Sequence, residues 1–86
     1  MVVDGSGRDP FSADVRVVDD QIREIGSLSI KAGERVVDVS GLVVAPGFID
    51  AHSHADGDIA QYPLAEAHIR QGITTSVGGQ DGAHPF

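Results

Sequence analysis

Apolar and polar residues alternate along residues 13–18 (ADVRVV), with Ala13, Val15 and Val17 in one phase and Asp14 and Arg16 in the other. A period of two marks a half-buried β-strand. After Asp19-Asp20 the alternation resumes over residues 21–25 (QIREI), with Ile22 inward and Gln21 and Arg23 outward. Together the two segments predict a β-hairpin. Its paired aspartates are a weaker turn signal than Asn-Gly, because a type I′ turn asks for φ > 0 twice. Residues 35–39 (RVVDV) and 42–45 (LVVA) read as two further short strands on either side of a Ser40-Gly41 turn. Residues 4–10 (DGSGRDP) and 26–34 are loops by their turn formers, the second containing a Lys-Ala-Gly-Glu turn. Val2-Val3 reads as the tail of a strand whose front is missing.

The pattern changes at Pro46-Gly47. Residues 48–52 (FIDAH) read as a buried strand end. Residues 63–71 (PLAEAHIRQ) turn helical, with Leu64, Ala67 and His68 on one face and Glu66 and Arg70 on another. Pro63 suits a first helical turn, and Gly72 suits the C′ position. Residues 73–77 (ITTSV) form a β-branched strand, and residues 78–86 are glycine-rich with no closing element. Strand, helix, strand is the opening of a parallel α/β unit. One such unit cannot cover both faces of its own strands. The expectation is an α/β chain, incomplete by itself, that changes character near residue 46.

Charge and composition narrow the function classes. Thirteen acidic against six basic residues give a net charge of -7, which argues against a nucleic-acid partner because phosphate neutralisation needs Lys and Arg. The chain has no cysteine, so disulfides, thiolate ligands and cysteine nucleophiles are excluded. No apolar run approaches the roughly 20 residues of a membrane helix. The start lacks a signal-peptide pattern, and cytoplasm is the default location.

The chemistry concentrates in residues 43–56 (VVAPGFIDAHSHAD). On an extended strand His52 and His54 project from the same face. Two imidazoles there can meet one ion, each at about 2.0–2.1 Å for zinc. Asp50 is in phase with His52 and is placed to hold a histidine from behind. The bland alternative is a pair of exposed loop histidines. Against it stands the position, a strand end after a Pro-Gly break, where α/β barrels carry their chemistry. Asp56 and Asp58 read as caps or solvent-facing groups, His68 as a surface or core-edge histidine, and His84 stays unassigned. Gly78, Gly79 and Gly82 make no phosphate loop, since no Lys-Ser/Thr follows.

Residues 43–56 resemble the entry strand of the amidohydrolase superfamily, whose members carry P-G-F-I-D-x-H-x-H. The stretch IRQGITTSVGGQDG is similar to the next segment of the D-aminoacylase branch, the N-acyl-D-amino-acid deacylases. The upstream VVDGSGRDPFSADVRVVDDQIREIG is similar to the family's N-terminal strands. The resemblance implies that residues 1–45 are strands of a partial β-sandwich. It implies that residues 46–86 start a TIM-type (β/α)8 barrel, with 48–54 as its first strand, 63–71 its first helix and 73–77 its second strand. It also implies metal ligation by His52 and His54, with zinc or a similar divalent ion as cofactor. Asp81 falls where the branch commonly has the cysteine of Gly-Asn-Cys-Gly. A carboxylate can replace it at about 2.0–2.2 Å, or Asp81 simply caps a turn beside Gly82. The implied reaction is attack of a metal-activated water on the amide of a small-molecule N-acyl-D-amino acid. The family's general base, an Asp of the last barrel strand, has no counterpart here. The chain therefore holds no catalytic residue of its own and is expected to be inactive alone. Rival readings are a dihydroorotase-like or imidazolonepropionase-like amidohydrolase, and a truncated, non-catalytic binding module with open strand edges.

Overall fold

The structure, a computed structural model, describes residues 1–82. It divides into two compact units, Met1–Pro46 and Gly47–Phe86.

The first unit contains the expected hairpin, β1 (Asp14–Val18) and β2 (Gln21–Gly26), paired antiparallel with Val15 opposite Ile25 and Val18 opposite Gln21. Asp19 turns the chain at φ 55°, a left-handed conformation that aspartate tolerates better than most residues. The ladder slips between Arg16 and Val17. Such a bulge re-aims the side chains beyond it, and the expected inward phase is lost. Val17 is 61% and Ile22 67% exposed, whereas the Arg16 side chain is only 10% exposed. Arg16 is covered because acceptors surround it. Its Nε donates to Glu34 Oε1 at 2.5 Å and its Nη2 to the Ser29 carbonyl at 2.7 Å, while Nη1 pairs with Glu24. Glu34 also accepts the Lys31 backbone N–H at 2.7 Å, closing the expected Lys-Ala-Gly-Glu turn. The Arg16 guanidinium holds both glutamate carboxyls below their ordinary range.

The strands expected at 35–39 and 42–45 do not form. Val44 alone pairs, as an isolated parallel bridge to Val2, which also bridges antiparallel to Phe11. Val36, Val37, Leu42 and Val43 are all exposed. β-Branched composition makes a segment fit a sheet, but a strand exists only where a partner edge lies beside it. Val2 has two such partners and is the one buried hydrophobic residue among those described. The Ser40-Gly41 turn is present, with the Leu42 N–H donating to the Val39 carbonyl at 3.0 Å and Gly41 at φ 77°.

The second unit runs β3 (Phe48–Asp50), α1 (Glu66–Ile69), β4 (Ile73–Ser76), and the two strands pair in parallel. The strand–helix–strand order is as expected, but the helix is one turn rather than residues 63–71. Ala65 sits at φ 45°, ψ 42°, and a left-handed residue cannot continue a helix backwards through Pro63 and Leu64. Leu64, expected on one helical face with His68, is 74% exposed and lies outside the helix; His68 is half-buried. Gly72 leaves the helical segment at φ 78° and accepts the Phe48 N–H on its carbonyl at 2.8 Å. Gly47 lies so close to Thr74 that the threonine side chain fills the space a Cβ would need. Phe48 and Ile49 are 63% and 67% exposed, so β3 is not the buried strand expected. A parallel pair is covered only when further layers pack on both faces. Among the described residues the architecture is thus a small α/β arrangement, and no helix is long and apolar enough to cross a membrane.

Candidate metal centre

The parallel ladder carries on past the strand ends. The Val77 N–H donates to the Asp50 carbonyl at 2.8 Å, and the Ser53 N–H donates to the Val77 carbonyl at 3.1 Å. These bonds fix the backbone on both sides of His52. The strand itself stops at Asp50. Residues 51–54 bend, and His54, at φ -106° and ψ 11°, leads into a 3-10 turn, Ala55–Gly57. Alternation along an extended strand is therefore not what brings the two imidazoles together. Ser53, between them, is turned in and is 4% exposed, with its Oγ accepting the Ala55 N–H at 3.2 Å. With Ser53 anchored, His52 and His54 are left outside as neighbours, ring centroids 5.5 Å apart and planes tilted by 54°.

Asp81 arrives from the other strand. Beyond β4 the chain passes Val77, Gly78 and Gly79 into a kinked turn, Gln80–Gly82, in which Asp81 sits at φ 58° and ψ 24°. Its Oδ2 lies 3.3 Å from His52 Nε2 and 3.1 Å from His54 Nε2. One donor atom from each of the three residues falls within 4.8 Å of the others. Donors bound tetrahedrally to one zinc at about 2.0–2.1 Å stand roughly 3.3 Å from one another, so both carboxylate–imidazole separations match the edge of such a polyhedron. Two borderline nitrogen donors and one oxygen suit zinc and similar divalent ions. The donor set fits the expected group.

The other candidates take different places. Asp50 does not reach the rings of His52 or His54. Its Oδ1 accepts the His52 backbone N–H at 3.2 Å, and its Oδ2 lies 3.8 Å from His68 Nε2. His68 also stands 3.5 Å from Ser53 Oγ, so it sits at the edge of the bend that carries the histidine pair. Asp58 works through its backbone, whose N–H donates to the Ala55 carbonyl at 3.2 Å. The Asp56 carboxylate reaches across to the opposite loop, where its Oδ2 accepts the Gly79 N–H at 2.8 Å. His84 lies outside the described residues. An open cleft of about 510 Å³ beside α1 is lined by Ile59, Tyr62, Leu64 and His68 among others, and by none of the three clustered residues. It is a gap beneath an uncovered helix rather than part of the cluster.

Sequence reading missed three supports of the cluster: buried Ser53, the contact of His68 with it, and the Asp56 bond. Ser53 follows from the motif once a bend replaces the strand. For Asp56 the usable signal was the Gly78-Gly79 pair, since adjacent glycines mark close backbone approach.

The profile of the Amidohydrolase family matches residues 35–85. The chain belongs to the amidohydrolase family. It is 47% identical over 81 residues to a D-aminoacylase of Alcaligenes xylosoxydans xylosoxydans, a match covering 94% of this chain and 17% of the relative. An N-acyl-D-glutamate deacylase of the same organism is 42% identical over the same shares. A dihydroorotase of Bacillus licheniformis is 54% identical over 41 residues, 48% of this chain and 10% of that protein. The chain thus spans about a sixth of the length of these two deacylase relatives. No solved structure matches it.

Proposed function

We propose that this chain is the N-terminal part of a metal-dependent amidohydrolase that cleaves the amide bond of N-acyl-D-amino acids. The observation that carries the reading is the convergence of His52, His54 and Asp81 where two parallel strands end. Residues 1–45 are read as strands of a composite β-sandwich and residues 46–86 as the start of a (β/α)8 barrel. The exposure of Phe48, Ile49 and Leu64 supports this, since later strands and helices would cover them.

His52 and His54 would hold the ion through neutral imidazole nitrogens, and Asp81 would contribute a negative charge. When bound, such an ion acidifies water and polarises a carbonyl. The side chains of all three residues are more than half exposed, which leaves one side of the cluster open to a substrate. Asp50 steadies the His52 backbone, and Ser53 fixes the bend that sets the rings side by side. The proton-transferring base and the remaining ligands are assigned to later strands, so this segment alone is inactive.

The test is the intact reading frame, purified and assayed on N-acetyl-D-amino acids and their L enantiomers, with metal content measured in parallel. D-selective hydrolysis that falls together with metal content in His52→Ala is the expected result. Parental activity in that variant overturns the site. The identity to a dihydroorotase over 41 residues favours a second reading, a cyclic-amide hydrolase. Hydrolysis of dihydroorotate with no action on acylated D-amino acids would select it.

A further inference from the structure

The loop that carries Asp81 is tied to its own strand end by the Gln80 side chain, which donates to the Val77 and Gly78 carbonyls at 3.2 and 3.4 Å. It consists of two glycines and a kinked three-residue turn, and Gly79 and Asp81 both sit at positive φ, 72° and 58°. Aspartate tolerates that region better than most residues, and contacts from its surroundings hold it there. Beyond Asp81's own contacts with His52 and His54, the Asp56 side chain ties this loop to the histidine segment.

Asp56 stands two residues past His54, in the first turn of the 3-10 segment. Its Oδ2 accepts the Gly79 N–H at 2.8 Å, across 23 residues of chain. The same carboxylate lies close against Gly78. A Cβ built on that glycine would come within 2.7 Å of Oδ2 and 2.9 Å of the carboxyl carbon, closer than real Cβ contacts come. Two independent features therefore describe one fit: an amide pointing at the carboxylate, and a residue lacking the atom that would push it away. We propose that Asp56 is a positioning residue, a clasp that ties the Asp81 loop to the histidine segment and so sets Asp81 Oδ2 against His52 and His54. Asp56 has no contact with the cluster's donor atoms; it acts through the Gly78-Gly79 backbone.

The proposal rests on the reading of His52, His54 and Asp81 as ligands, and the test separates the two. In the intact holoenzyme, Asp56→Ala removes the acceptor, Asp56→Asn keeps an oxygen at the same place, and Gly78→Ala pushes the clasp open from the other side. Zinc affinity is measured by competition with a chelator. Cobalt(II) is substituted at the site and its visible absorption recorded, because that spectrum reports ligand geometry rather than the amount of folded protein. Asp56→Ala and Gly78→Ala are each expected to weaken zinc binding by about 10–100-fold, the usual cost of losing an outer partner of a metal ligand. Both are expected to alter the cobalt spectrum in the same way, and Asp56→Asn is expected to recover most of the loss. If Asp56→Ala lowers the folded fraction but leaves affinity and spectrum of the folded part at parental values, the clasp is overturned. If His52→Ala and Asp81→Ala also leave affinity unchanged, the metal reading itself fails, and the clasp with it.

Discussion

The two units gather their polar side chains in opposite ways. In Met1–Pro46, Arg16 is ringed by Glu24, Glu34 and the Ser29 carbonyl, so each charge is answered by a neighbour from the same unit. In Gly47–Phe86, two imidazoles and one carboxylate face a common point, and no lysine or arginine joins them among the described residues. The first cluster satisfies itself and so does structural work. The second holds the donors of the metal site proposed above. What distinguishes the two clusters is the pairing of their charges: a guanidinium sits among the carboxylates of the first, and no Lys or Arg sits among the three residues of the second.

That contrast is broken most sharply at the histidines. His52→Ala in the intact enzyme is expected to cost more than the roughly 10–100-fold typical of an outer partner, in activity and in bound metal together, as read by turnover and elemental analysis. Asp81→Cys comes next. A thiolate is softer than a carboxylate, so the variant is expected to keep its metal while its preference shifts from manganese toward zinc and cadmium, measured by competitive loading. Unchanged preference would show that Asp81 is a turn residue only.

A third change probes the scaffold of the second unit. Gly47→Ala drives a methyl into Thr74, and overpacking of this kind costs about 1–3 kcal/mol. Thermal melting of the intact protein should register the loss, and pairing with Thr74→Ser should relieve part of it. The smallest effect belongs to the first unit. Glu24 and Glu34 are held below their ordinary value of 4.5 by Arg16. An unfolded chain takes up these protons at higher pH than the folded one does. The stabilisation is therefore complete above 4.5 and is lost as pH falls through the lowered folded values. Arg16 is shifted upward, chiefly by Glu34, and its share persists at all working pH. Arg16→Met should flatten the acid limb of the stability profile slightly without touching metal content.

The parts legible in the sequence were those set by neighbours along the chain. The hairpin followed from alternation on either side of Asp19-Asp20, and β4 from its β-branched run. Residues 35–39 had the same composition and made no strand, because whether a partner edge lies alongside is not written in the segment itself. The inward phase of Val17 and Ile22 was lost to one bulge. At the cluster, the His-Ser-His motif predicted neighbouring imidazoles by strand periodicity, whereas a bend pinned by Ser53 makes the rings neighbours. His68 lies at a half-buried edge as expected, but its contact with Ser53 and that of Asp56 with Gly79 span 15 and 23 residues and leave no local signal.

Eighteen large hydrophobic side chains stand more than a third exposed among the described residues. In the longer protein proposed above, this stretch leaves the ribosome before the barrel strands that follow it. At about 5–20 residues per second, the strands that would cover Phe48, Ile49 and Leu64 arrive seconds to tens of seconds later. Through that interval the nascent chain is a natural client for chaperones, and a translation product halted early would be prone to clump rather than to persist as a free protein.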